Sequence, residues 1–112
     1  MFAACGLAPA KCLAVINLQK VESEVMLEEL VGEAVVIDLR SSYVCMGTLT
    51  NVAADYLELR NADLHDLRDT ETTRENYIAA SAATGIKRNR KKLWLMRAEI
   101  VAIARLKDVV EV

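Results

Sequence analysis

Between Lys20 and Val31 the apolar residues Val21, Val25, Leu27, Leu30 and Val31 recur at close to helical spacing. Glu22, Glu24, Glu28 and Glu29 fall mostly on the other side, as the solvated face of such a helix. The pattern predicts a helix over 20–31, ended by Gly32. After Gly32 the period falls to two. In Ala34–Arg40, Val35, Ile37 and Leu39 alternate with Val36 and Asp38, which predicts a half-buried strand. Arg40-Ser41-Ser42 is a short polar turn, and Tyr43–Asn51 is a second strand with Gly47 where it must bend or admit another backbone. Asp55–Asp63 is a third strand, with Tyr56, Glu58 and Arg60 on one face and Leu57 and Leu59 on the other. Leu93–Arg97 and Glu99–Leu106 form two more, parted by a turn near Ala98. The order is helix, three strands, a long insertion, two strands.

Two segments lie outside this alternation. Residues 1–19 are mildly apolar, but Lys11 interrupts them, no basic stretch precedes them, and the run is too short to span a membrane. They read as an arm or an extra edge strand over Cys12–Leu18, ahead of a domain covering 20–112. The insertion runs from His65 to Lys92. Asp69-Thr70-Glu71-Thr72 looks like a helix start, and the Ala-rich Arg74–Thr84 predicts a short helix ending at Gly85. The basic residues Lys87, Arg88, Arg90, Lys91 and Lys92 follow, with Asn89 among them. Such a run fits a solvated hairpin tip, or a phosphate-contacting crown repeated once per subunit of an assembly.

Composition narrows the function more than the fold. Of 112 residues, 54% are hydrophobic and 27% charged, which excludes a disordered chain and suits one domain. The formal net charge is -2, so any nucleic-acid surface has to be local. Cys5, Cys12 and Cys45 lack the paired spacing of a zinc site and read as buried or idle thiols of a reducing, cytoplasmic compartment. His65, beside Asp63 and Asp66, reads as an exposed residue at a strand end and not as a metal ligand or base. Trp94 reads as core or subunit interface. No Ser-His-Asp arrangement, phosphate loop or dinucleotide turn is present, so the expectation is a non-enzyme without cofactor or metal.

Two segments together resemble the Sm and Sm-like family, over roughly Leu27 to Val110 apart from the insertion. The first is Leu27, Leu30, Val31-Gly32, then Val35, Ile37 and Leu39, then Gly47-Thr48-Leu49. The second is Met96-Arg97-Ala98-Glu99-Ile100-Val101, with Ala98 where the family has Gly. The resemblance implies a mainly β fold. An N-terminal α-helix would precede a strongly bent five-stranded antiparallel β-barrel, with a long insertion between the third and fourth strands. It also implies assembly with copies of itself into a closed ring, because edge strands left bare on one subunit pair with those of the next.

In that family RNA is held by an aromatic and an Asn from the loop between the second and third strands, preceded by an Asp, and by the Arg of the second segment. A base stacks between ring and guanidinium, and the amide reads its edge. Carried over, the residues are Asp55, Tyr56, Glu58 and Arg97, with Lys87, Arg88, Arg90, Lys91 and Lys92 as phosphate contacts. Glu58 stands at the Asn position and Ala54 at the Asp position, with Asp55 one place along. A glutamate cannot donate and repels phosphate, so uridine-type readout is weakened if Glu58 faces the pore. From the residues alone, Tyr56 and Glu58 fit a solvated strand face equally well, and Arg97 fits an ion pair with Glu99 or with a neighbouring subunit's acid. The expected function is a ring that binds single-stranded RNA. The alternative is a ring scaffold that has lost the RNA site and binds a protein.

Overall fold

The computed structural model describes residues 25–110. The expected arm over 1–19 and the start of the first helix lie outside them. Residues 25–28 are helical (α1), and the chain turns through 29–32 into the sheet. Gly32 takes φ 92°, which L-residues avoid, and its N–H donates to Leu49 O at 2.7 Å. The helix-ending glycine thus also ties α1 to the second strand. β1 (Ala34–Leu39), β2 (Tyr43–Val52), β3 (Tyr56–Asp66), β4 (Arg90–Met96) and β5 (Ile100–Arg105) form one antiparallel sheet in the order β4-β3-β2-β1-β5. Strand count, order of elements and alternation follow the sequence reading. Among the described residues no ladder joins β4 to β5, so these two strands are the edges of the sheet.

The strands are bent by bulges. Between the pairs Met46↔Asp63 and Thr48↔Arg60, β3 spends one residue more than β2. Asn61 takes φ 50° there, and Gly47 faces the crowded step. A Cβ on Gly47 would stand 3.0 Å from both Cα and Cβ of Ala62 and 3.2 Å from the Arg60 carbonyl oxygen. Gly47 is glycine because β3 leaves no room beside it. A second bulge lies on β2 between Leu49 and Asn51, and a third on β5, where Val101 has no counterpart between Asp38↔Ala102 and Leu39↔Ile100.

The inward face gathers Val35, Ile37, Leu39, Cys45, Leu49, Leu57, Leu59, Ala62 and Leu95, and Leu27 and Leu30 close it from the α1 side. Burial, and secondarily the charge of Asp63, pushes the Cys45 thiol up to about 12. In a Cys5→Ser/Cys12→Ser variant, Cys45 should therefore resist alkylation at pH 8 until denaturant is added. Rapid labelling of the folded variant would mean that this core opens.

The insertion supplies a second core on the outward face, which the sequence did not predict. A 3-10 turn (Leu67–Asp69) leads to α2 (Arg74–Thr84). The N-cap is Thr73, accepting from Asn76 N at 3.2 Å, and not the Asp69–Thr72 stretch expected from sequence. Gly85 ends the helix as expected, at φ 103°. Tyr77 and Ile78 pack on Val36, Val44, Met46 and Leu106. Arg74 holds Asp38 of β1 at 2.9 Å. β3 runs to Asp66, three residues past the expected end, because Leu64 packs on the inward core and the outward side meets α2. His65 is accordingly not an exposed strand-end residue. Its ring stacks on Tyr77 at 4.2 Å, and its Nε2 is buried without a hydrogen-bond partner.

Among the described residues no helix is long and apolar enough to cross a membrane, and no group of three or more His, Cys, Asp or Glu could hold a metal ion.

Candidate nucleic-acid interface

The hairpin loop after β2 and the turn after β4 meet at one end of the sheet. Ala53 N donates to Tyr56 O at 2.9 Å, closing the β2–β3 loop. Tyr56 opposes Met96 in the ladder, and Arg97 N donates to Asp55 O at 2.9 Å, one step beyond that pair. The Arg97 side chain turns back along the same loop, and its Nη1 donates to Ala53 O at 2.8 Å. Asp55, Tyr56 and Arg97 are thereby held together, although 41 positions separate the last two in sequence. The turn itself is a 3-10 step (Arg97–Glu99), fastened to the end of β1 by Arg40 N donating to Glu99 O at 2.9 Å. Ala98 can stand in for glycine there because its φ is not positive; Asn61 is the one non-glycine described residue whose φ is.

Glu58 is engaged within the sheet. Thr50 Oγ1 donates to its Oε2 at 2.8 Å, and Lys92 Nζ lies 3.5 Å from its Oε1. The Thr50 hydroxyl chiefly, and Lys92 after it, hold this carboxyl below its ordinary range. Both oxygens thus have partners within the chain. Lys92 Nζ is in turn 5.0 Å from the centroid of the Trp94 ring. Thr50, Glu58, Lys92 and Trp94 form one chain of contacts on the outward side of β2, β3 and β4.

The basic run occupies the opposite end of β4 from Arg97. It is not a hairpin tip: Lys87, Arg88 and Asn89 precede the strand, and Arg90, Lys91 and Lys92 open it. The seven residues of β4 put about 20 Å between the two ends. The sites expected from sequence are therefore brought together in two groups, Asp55–Tyr56–Arg97 and Glu58–Lys92. Lys87, Arg88, Arg90 and Lys91 stay exposed at the far end. Arg88, Arg90 and Lys91 line a shallow depression of about 390 Å³ with Asn61 and Asn89.

Three features of this surface escaped the sequence reading. Trp94 is 53% exposed, on the outward side opposite Glu58, and so is not core. Met96 beside it is 50% exposed. Asp63, 1% exposed, accepts from the Tyr77 hydroxyl and from Asn89 Nδ2 at 3.0 Å, which anchors the start of the basic run to β3. Burial and this hydrogen bond push the Tyr77 phenol above its ordinary value. The signal for Trp94 was its place in the alternation, out of phase with Leu93 and Leu95. For Asp63 and Tyr77 no local pattern pairs residues across the insertion.

No family model matches the sequence, and no curated protein matches it. Among solved structures, the fold is similar to that of a Pyrococcus abyssii Sm protein in complex with a uridine heptamer. The TM-score is 0.50 at 12% sequence identity, over 71% of this chain and 92% of that one. At that identity the likeness speaks for the fold. The five-stranded antiparallel sheet and this likeness agree, and the chain has the Sm-like fold.

Proposed function

We propose that this chain is a ring-forming protein that holds single-stranded RNA by base stacking and phosphate contacts. The observation that carries the reading is the convergence of Tyr56 and Arg97 on one end of the sheet, through the bonds from Arg97 to Asp55 O and Ala53 O. An aromatic face next to a guanidinium is a sequence-tolerant base platform. The solved Sm protein with its uridine heptamer lends the same reading support. The ring is supported by the two edges β4 and β5, which are bare in a single chain and carry exposed Met96 and Val101. Unlike edges that pair head to tail close into a cycle, here about five to seven subunits around strongly bent barrels.

Glu58 favours a second reading, a ring scaffold for a protein partner. Its carboxyl replaces the reading amide and is already engaged by Thr50 and Lys92.

Fluorescence anisotropy with labelled oligo-U and oligo-A, at low and physiological salt, separates the two. On the RNA reading, binding persists at physiological salt, and Tyr56→Ala or Arg97→Ala each weakens it by about 1–3 kcal/mol. Lys91→Ala with Lys92→Ala flattens the salt dependence. Binding absent at physiological salt, while light scattering still gives several times 12.4 kDa, supports the scaffold. A monomer mass overturns the ring.

A further inference from the structure

We propose that the outward face of β3 and β4 is a second contact surface for single-stranded RNA, with a base stacked on Trp94 and the neighbouring phosphates held by Arg60 and by the depression lined by Arg88, Arg90 and Lys91. The inference rests on the RNA reading above and adds to it a site about 20 Å long, leading away from the Tyr56–Arg97 end.

The argument starts from an indole where a soluble strand seldom leaves one bare. Trp94 lies 53% exposed on an edge strand, between Lys92 and Met96 on the same side. It is held in place. Thr50 fixes Glu58, Glu58 fixes Lys92, and the Lys92 ammonium sits 5.0 Å from the ring centroid. A ring restrained before binding loses less freedom when a base stacks on it. The partner's sign follows from the charges around it. Arg60 opposes Lys92 in the ladder, and Arg90 opposes Ala62 one step further along. Glu58 is the acid on this stretch, and its charge is met by Lys92. Arg60 lies across from Lys92 on this face, and Arg88, Arg90 and Lys91 are exposed around the end of β4 to which it leads.

The depression of about 390 Å³ brings three of those cations together with the side chains of Asn61 and Asn89. Asn89 keeps its position there by donating its backbone N–H to Ala62 O at 2.9 Å and its amide to Asp63 and Leu64. From residue 94 to residue 90 the strand spans roughly 13 Å, a few nucleotides of an extended single strand. A flat, sequence-tolerant aromatic beside fixed cations is the composition of a single-strand platform. An acidic peptide would use the cations and leave the indole face idle.

The chain has one tryptophan, so its emission reports on this site alone. The experiment titrates the full chain with an oligo-U of about fifteen nucleotides, reading Trp94 emission and the anisotropy of a labelled copy in parallel, at physiological salt. The expected result is quenching with the same midpoint as the anisotropy change. Trp94→Ala should weaken binding about tenfold, Trp94→Phe should recover most of it, and Arg60→Ser should flatten the salt dependence. The emission readout needs no variant, so a Trp94→Ala protein that fails to fold does not remove the test.

Binding that is lost in Tyr56→Ala while Trp94 emission stays constant and Trp94→Phe and Arg60→Ser bind as the parent does overturns this surface and leaves the Tyr56–Arg97 reading standing. No binding by anisotropy overturns both. A Trp94→Ala protein that binds RNA normally but scatters as a smaller assembly makes the indole a contact between copies, and overturns the proposal as well.

Discussion

Gly47→Val is expected to remove about 3 kcal/mol of folding stability, read as a lower urea midpoint at unchanged slope. The reason is steric and local. The first added carbon would meet Cα and Cβ of Ala62 at 3.0 Å and the Arg60 carbonyl oxygen at 3.2 Å. None of these atoms is the far end of a flexible side chain. Relief requires β2 and β3 to separate at the step where β3 carries its extra residue, in the middle of the most extensive pairing of the sheet. Valine then adds two methyl groups to a space that has no room for one. Gly32→Ala makes the contrast, because nothing lies within 4 Å of its added carbon and only the φ of 92° resists the change. That substitution should cost about 1–2 kcal/mol. A Gly47→Val protein within 0.5 kcal/mol of the parent would show that the strands are not pinched there.

Asp63→Ala is expected to cost about as much, by another mechanism. Its carboxylate is buried and accepts from the Tyr77 hydroxyl and from Asn89 Nδ2. Removing it leaves the buried Tyr77 hydroxyl without its acceptor and takes one of the two acceptors from the exposed Asn89 amide, a penalty of about 3 kcal/mol. Tyr77→Phe leaves the carboxylate its bond from Asn89 and should cost about 1.5 kcal/mol. Because the two residues share one bond, the double variant should lose less than the sum of the single ones, and a thermodynamic cycle measures the difference. Strict additivity would mean that the insertion is held by apolar packing alone. The Asp63→Ala variant should also release the anchor of the basic run, so its hydrogen exchange should rise over residues 86–90 before it rises in β1.

The strands were legible because burial on one face imposes a period of two. Val35, Ile37 and Leu39, and then Leu57 and Leu59, declare their side without any knowledge of partners. Gly32 and Gly47 were legible for the same kind of reason, since each answers a local backbone demand. Strand ends were less so. β3 continues to Asp66 because α2, a distant segment, covers its outward side, and no pattern within 55–66 announces that cover.

The candidate site divides along the same line. Tyr56 and Arg97 could be named from their segments, and their meeting follows from strand order. The engagement of Glu58 by Thr50 and Lys92 depends on a bulge at Thr50 and on the β3–β4 register, neither of which leaves a mark in one sequence. Of the two places expected for Trp94, core or subunit interface, the first fails because a large aromatic in an alternating strand, though most often inside, here falls on the outward side.

Asn89 has a consequence for the ageing of the molecule. Its side-chain amide accepts from Leu64 N and donates to Leu64 O, both at 3.0 Å, so it copies a peptide group and adds one rung to the β3 ladder. A carboxylate in its place could accept but not donate. Slow hydrolysis of that amide to aspartate would erase the rung, set a second negative charge against the buried Asp63, and cut the positive charge of the run by one. An old molecule would then differ from a new one by a single atom group, in the place where the insertion, the sheet and the cationic end are joined.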